Sequence, residues 1–483
     1  MTLRQSLLAR CQRGYETPVG RIAQEWSLIF GEDAFETVSP EDFPMAVLDQ
    51  VWRNTIDDSL KPQIFGNLFS LAAWCGFNIT PQMHSLVGQD LRRVIYDCVR
   101  HVRVSGSTPR RPTVHALFTC KFRDPLHSPT RGVVDYGLAL LSDPQVERVD
   151  IYHDGAVEPE MLDYLRQRLG DFGDRIHLVP LNLGQIGTVL ERGPTMTHIW
   201  CDHAMAAHLS LLAALGPTIM FICADAPPYQ YADVYWFFHN ASYIAKSWAQ
   251  KGVPDSFIAN YMPCAQGPNT IIRRSEIRRS KAEFGLGDED VLLVSVGNRL
   301  AVEIDRVFMN GVEAALRAHP SAVWLAVGQL PDNLLNACHT VLGRQFLHVP
   351  YERQLNSLLT ACDIFINPFR AGGGDSAAQA MSNGAVVLTR GDFGDVAGLT
   401  PLAHHAADAE DYFLKLVDLI ENPALRSAWS SVQSVHINAL WDQAAFTLSL
   451  RHMADIAWDR YQQRVGQPIE RLFALPARLA QNG

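Results

Sequence analysis

The richest chemistry in this 483-residue chain lies in Phe365-Ile-Asn-Pro-Phe-Arg-Ala-Gly-Gly-Gly-Asp-Ser-Ala-Ala-Gln-Ala-Met-Ser-Asn-Gly-Ala-Val-Val-Leu-Thr389. The pattern predicts a buried strand, a glycine turn, a short helix opening at Asp375 or Ser376, a glycine stop at Gly384 and a second buried strand. A helix N-terminus leaves backbone N–H groups without intrahelical partners and carries a partial positive charge. Gly372, Gly373 and Gly374 put no side chain in the way, so this turn can seat a phosphate, and Ser376 adds a hydroxyl. Asp375 works against an anion. It either caps its own helix or accepts from a sugar hydroxyl.

The elements that must position this turn can be read on both sides of it. From Thr113 onward, short apolar runs alternate with helical patterns: Val114–Thr119, Val149–Tyr152, Ile176–Val179, His198–Trp200, Ile219–Cys223 and Tyr243–Ala245. A second series comprises Val291–Val296, Val323–Val327, Phe346–Val349, Ile364–Ile366 and Ala385–Leu388. Such alternation implies parallel sheets with helices on both faces. The expected organisation is an all-helical domain over 1–108, a first Rossmann-like lobe over 109–266, a second over 267–440 and a helical tail over 441–483. Ser105 to Pro112 reads as a linker, and the two lobes join near Pro263 to Pro268.

Ligands of doubly wound sheets bind outside the carboxyl ends of the strands. In the second series that rule selects Gly297-Asn298-Arg299, Gly328-Gln329, Pro350-Tyr351, Asn367 to Ser376 and Arg390-Gly-Asp392. Arg299 could grip a diphosphate with a charge-assisted fork or sit in a surface salt bridge; Arg370 and Arg390 make the same claim more weakly. Gly328 permits close backbone approach. Tyr351 could stack on a base or pack in the core. In the first series the rule selects Lys121 to Arg131, His153-Asp154, Asp202-His203 and Asp225 to Tyr231.

Bulk properties narrow the class. Apolar residues make up 47% and charged ones 19%, the balance of an ordinary folded protein. A net charge of −10 argues against a nucleic-acid binder, which would carry a basic stripe. The nine cysteines form no C-x-x-C pair; Cys201, Cys223 and Cys362 sit in apolar runs as buried thiols would. A reducing cytoplasm is the expected location. The first ten residues are too poor in apolar groups for a signal peptide. The longest apolar stretch, Leu209 to Ala226, is broken by Gly216-Pro217, so no transmembrane segment is expected; peripheral membrane association stays open. No Asp-x-Asp falls at a strand end and no His/Cys ligand spacing occurs, so neither a metal nor another cofactor is expected.

The block Val294-Ser-Val-Gly-Asn-Arg-Leu, Trp324-Leu-Ala-Val-Gly, Ala361-Cys-Asp-Ile-Phe-Ile-Asn-Pro-Phe and Gln379-Ala-Met-Ser-Asn-Gly-Ala-Val-Val resembles the nucleotide-sugar half of GT-B glycosyltransferases. Asn367-Pro-Phe followed by a glycine loop is similar to the O-GlcNAc-transferase-like clan, including its bacterial cytoplasmic adhesin glycosyltransferases. These also carry a helical domain ahead of two lobes. Gly216-Pro217-Thr-Ile-Met-Phe-Ile and Phe122-Arg-Asp-Pro-Leu-His127-Ser-Pro are weaker echoes. The resemblance implies two α/β lobes facing across a cleft, with the donor in the second and the acceptor at the first.

It also implies residue roles, with departures. The paired glutamates of the large retaining branch would fall on Ala371 and Gln379, so that mechanism is not expected. The clan's ribose-binding Asp matches Gln379, which also hydrogen-bonds hydroxyls. Its phosphate-binding Lys falls near Glu303, leaving Arg299 as the nearest substitute. The clan places a histidine near the acceptor, where His127 falls. Asp202 and His203 are the other catalytic candidates, with a helix cap or a structural histidine as the plain alternatives. The expected activity is metal-independent, inverting hexosyl transfer from a UDP-sugar, of a hexose or N-acetylhexosamine, to a protein side chain or glycan. The rival readings are a nucleotide-sugar epimerase of the same architecture and a non-catalytic partner subunit of a protein glycosyltransferase.

Overall fold

A computed structural model of the chain describes residues 110–467 with short gaps, chiefly 120–127, 181–188, 201–209 and 265–273, and a few residues before them. The expected helical domain over 1–108, and the candidates His127, Asp202, His203 and Asn298, lie outside the described residues. The chain divides into two units, the first built on one sheet and including Trp441 onward, the second spanning Ile271–Leu440 on another.

In the first unit, apolar runs form strands β1 (Val114–Thr119), β2 (Arg148–His153), β3 (Ile176–Pro180), β4 (Met196–Trp200), β5 (Thr218–Phe221), β6 (Val234–Phe237) and β7 (Tyr261–Pro263). Helices α1 (Ser128–Leu141), α2 (Pro159–Leu169) and α3 (Ala241–Gln250) connect them. All seven strands are parallel, in the order β3-β2-β1-β4-β5-β6-β7. The continuous apolar runs follow from that arrangement, since a strand covered on both faces has no side to leave polar. Tyr243–Ala245, expected as a strand, is instead part of α3. Asn240 caps that helix by accepting from the Tyr243 N–H at 2.8 Å, and Ile244, Ser247 and Trp248 form its buried stripe. The sheet continues through β6 and β7 instead, whose short aromatic runs carried too little periodicity to be read.

One polar chain crosses this core. The Tyr136 hydroxyl lies 2.7 Å from His198 Nδ1, and His198 Nε2 lies 2.8 Å from His115 Nδ1. All three side chains are buried. Burial lowers His115 to about 4, lowers His198 well below its ordinary value and raises Tyr136 well above its own. The chain is therefore neutral, each ring nitrogen pair working as one donor and one acceptor.

The second unit holds β8 (Val291–Val296), β9 (Ala322–Val327), β10 (Phe346–Val349), β11 (Ile364–Ile366), β12 (Val386–Arg390) and β13 (His405–Ala406), parallel and ordered β10-β9-β8-β11-β12-β13. Its helices include α4 (Leu300–Glu303), α5 (Arg306–Ala318), α6 (Asp332–Leu342), α7 (Gly374–Ser382), α8 (Asp395–Leu399), α9 (Ala409–Glu421) and α10 (Pro423–Leu440). Phe308, Val312, Ala315 and Leu316 of α5, with Tyr412, Leu416, Leu419 and Ile420 of α9, pack on Leu293, Trp324, Ile364 and Leu388 from the sheet. Strand β13 is only two residues long and pairs with Thr389 and Arg390, so Val387 has no strand beside it on that edge. The buried Gln433 of α10 fills in: its amide accepts from Val387 N at 2.7 Å and donates to Val387 O at 2.8 Å.

The last helix among the described residues, α11 (Gln443–Arg464), belongs to the first unit. Phe446, Leu450, Met453 and Ala457 recur at helical spacing and enter the same core as β1 and β4. At its end the buried Arg464 forks onto the buried Asp233, Nε to Oδ1 at 2.8 Å and Nη2 to Oδ2 at 2.7 Å. Arg460 donates to Asp233 O at 2.7 Å. Among the described residues no helix is long and apolar enough to cross a membrane.

Candidate functional site

Strand order reverses between β8 and β11 in the second sheet, so the loops after these two strands diverge and leave a crevice at the carboxyl edge. The loop after β8 carries Gly297 and Arg299; the loop after β11 carries Asn367 to Gly373 and runs into α7. Beside them, Gly328 follows β9 with φ of +138°, and a Cβ there would stand 1.9 Å from the Gly297 carbonyl oxygen. The close approach that Gly328 permits is thus taken up by the neighbouring loop's backbone. It fixes the height of Gly297 above the sheet.

Helix α7 begins at Gly374, one residue earlier than the sequence suggests. Gly373, at φ of +99°, is the N-cap, so the cap residue itself brings no side chain to the turn. The first intrahelical bond runs from Ala377 N to Gly373 O at 3.0 Å, so the N–H groups of Gly374, Asp375 and Ser376 precede the helical ladder. Asp375 stands inside the first turn, two residues past the N-cap position. Its Oδ2 accepts from Gln379 Nε2 at 3.2 Å, one turn on. Gln379 itself is buried, with its amide turned to Asp375, while Ser376 is half-buried at the opening turn.

A cluster of charged groups supports the glycine loop from beneath. Arg370 is buried; its Nη2 donates to Val296 O at 2.6 Å, its Nε to Asn367 Oδ1 at 2.9 Å and its Nη1 to Glu303 Oε2 at 2.6 Å. The other oxygen of Glu303 receives Arg299 Nη2 at 2.9 Å. A Cβ at Gly373 would stand 2.5 Å from Arg370 Nη2, and one at Gly297 only 2.3 Å from Arg370 Nη1. A Cβ at Gly372 would lie 3.3 Å from Arg299 Nη2. The glycines are therefore spaces for guanidinium groups as well as open backbone. Arg370 is committed to holding the loops together, which removes it as a group that reaches a ligand. Arg299, at 29% side-chain exposure, keeps that capacity.

The structure thus brings Arg299, Gly373, Gly374, Asp375, Ser376 and Gln379 to one loop–helix junction. Tyr351 stands after β10 on the same sheet edge with 58% exposure, which rules out core packing. Arg390 closes β12 as its last residue, its guanidinium 5.1 Å from the Phe369 ring centre. Sequence reasoning missed the joint role of Glu303 and Arg370. The four-residue spacing of Arg299 and Glu303 was legible, but the contact across to Arg370 depends on the fold. Among the described residues no three His, Cys, Asp or Glu side chains gather as a metal site would need.

No protein-family model and no curated protein sequence matches the chain. Solved structures do. A mutant of the Thermobaculum terrenum O-GlcNAc transferase is similar over 87% of this chain and 81% of its own, with a TM-score of 0.64 and 12% identity. A glycosyltransferase from Rickettsia africae is similar over 71% of this chain and 98% of its own, with a TM-score of 0.52 and 9% identity. With two all-parallel α/β units, these likenesses show the GT-B fold.

Proposed function

We propose that this chain is a glycosyltransferase that moves a hexose or N-acetylhexosamine from a UDP-sugar to a protein side chain or glycan, with inversion and without a metal. The observation that carries the reading is the glycine-capped start of α7 at Gly372 and Gly373, with the Arg299 guanidinium beside it at the switch point of a GT-B sheet. Main-chain N–H groups, a helix dipole and one guanidinium are what a departing diphosphate requires, because charge builds on it as the glycosidic bond breaks. Tyr351 offers an exposed ring for the base, and Asp375 an acceptor for a sugar hydroxyl.

Inversion needs a base for the acceptor hydroxyl. His127, Asp202 and His203 follow β1 and β4 in sequence, the two strands that flank the reversal of strand order in the first sheet. His127 is proposed as the base. His127→Ala should lower transfer by roughly 10²–10⁴-fold and leave UDP affinity unchanged in calorimetry. A matching loss of UDP binding would remove it from the acceptor side.

The reading as a whole is tested by thermal shift with UDP, which at a hundredfold excess over Kd should stabilise the protein by about 2.7 kcal/mol. Incubation with UDP-N-acetylglucosamine should then release UDP slowly without acceptor, and Arg299→Ala with Ser376→Ala should abolish that release. Full turnover by the double variant would displace the donor site. An epimerised sugar, in place of free UDP, would replace the transferase reading with an epimerase.

A further inference from the structure

The charged cluster under the glycine loop has an order to it. Arg370 has three partners on three segments, the end of β8, the loop after β11 and α4, and its side chain is only 5% exposed. Glu303, 10% exposed, divides its carboxylate between this fixed guanidinium and that of Arg299. Arg299 is the more exposed of the two, and it lies against Gly372. Rigidity therefore runs from the backbone at Val296 through Arg370 to Glu303, and from Glu303 to Arg299.

We propose that Glu303 is a positioning residue: it links the buried Arg370 to Arg299 and fixes the Arg299 guanidinium at the glycine loop, where a diphosphate would meet it. This rests on the donor-site reading above. A carboxylate has acceptor sites on both oxygens, so it can receive two guanidiniums at once; an amide has one acceptor oxygen and turns donors toward the second guanidinium. The pair of arginines sharing one carboxylate also leaves one net positive charge beside the loop, against the negative charge of Asp375 in the first turn of α7.

A competing role would be electrostatic only, with Glu303 damping the positive charge. The two roles predict opposite signs for Glu303→Gln. Removing a damping charge tightens binding of an anion, whereas removing the link frees Arg299 and weakens it. Glu303→Asp separates them further, because it keeps the charge and shortens the reach by a methylene.

The test is titration of the full chain and both variants with UDP by calorimetry, with uridine followed by ligand-observed NMR. The expected result is a UDP Kd raised tenfold or more in E303Q and in E303D, with uridine binding unchanged. UDP affinity equal to or tighter than that of the unmodified protein in either variant overturns the inference and leaves the donor site standing. Parallel loss of UDP and uridine overturns it too, because a merely structural residue would act on both. Failure of the unmodified chain to bind either UDP or inorganic pyrophosphate removes the donor-site reading, and the inference with it. If E303Q does not fold, E303D decides alone.

Discussion

Each glycine at this junction is set by a neighbour, and that neighbour determines what a methyl group there would cost. Gly328 combines a positive φ with a Cβ position 1.9 Å from the Gly297 carbonyl oxygen. Gly285 has a φ of +73° and open space around the same position. Gly285→Ala should then cost about 1 kcal/mol, the backbone term alone. Gly328→Ala should exceed that by roughly 2 kcal/mol or more, since the loop after β8 must move as well. Urea midpoints of the two variants measure the difference; equal losses would show that the two loops separate without strain. At this scale the sequence was informative about where ligand chemistry belongs and poor on who holds whom. Gly372 to Ser376 and Arg299 were legible from glycine content and strand-end position. That Arg370 is a buried tie, and that Glu303 serves two arginines, depends on contacts 67 and 74 residues apart that no local pattern encodes.

Elements are held at their edges by single polar side chains. Gln433 stands in for a missing strand beside Val387, so Gln433→Ala leaves a buried N–H and C=O unmatched, at about 1–3 kcal/mol each. Its amide protection in hydrogen exchange should fall most at Val387. Uniform loss across β12 would point to general loosening instead. Arg464 is the counterpart in the first unit. Arg464→Ala should destabilise that unit by about 3–5 kcal/mol, because Asp233 stays buried without its partner. The double change Arg464→Met with Asp233→Leu should recover only part of the loss in chemical denaturation, because Thr218 N, which donates to Asp233 Oδ2, and the Ala213 carbonyl, which accepts from Arg464, then lose their partners. Strand positions were largely readable, since apolar runs such as Val291–Val296 coincide with buried strands. The failures have a common cause. Tyr243–Ala245 was too short to reveal whether it repeats every two or every four residues, and the cap at Asn240 settled it as helix.

Across the molecule, protons and fold are coupled through histidines. His115, His198, His404, His405 and His436 all sit below their ordinary value because burial disfavours the charged ring. The unfolded chain therefore binds more protons than the native one below pH 6.5, so stability is full above that pH and falls as it drops toward 4. His115 alone, moved from 6.5 to about 4, corresponds to roughly 3 kcal/mol. His319, raised by its hydrogen bond to Glu421, acts in the opposite direction at the surface. Urea midpoints taken between pH 7 and pH 4 should decline steadily; a flat profile would contradict the neutral Tyr136–His198–His115 chain. The GT-B class was legible from two strand–helix series and one glycine turn, whereas the return of the final helix was not, since nothing local in α11 names its partner sheet.

That return has a consequence for how the protein is made. On the ribosome, the seven-stranded unit emerges before the six-stranded one but lacks the helix carrying Phe446, Leu450 and Arg464 until that second unit has been made. The later-encoded unit spans Ile271–Leu440 with its own apolar centre, and it is out of the exit tunnel sooner relative to its own length. Of the two units, the one begun earlier is thus completed later, and nascent chains stalled before Asp442 would carry Asp233 with no Arg464 guanidinium to meet it.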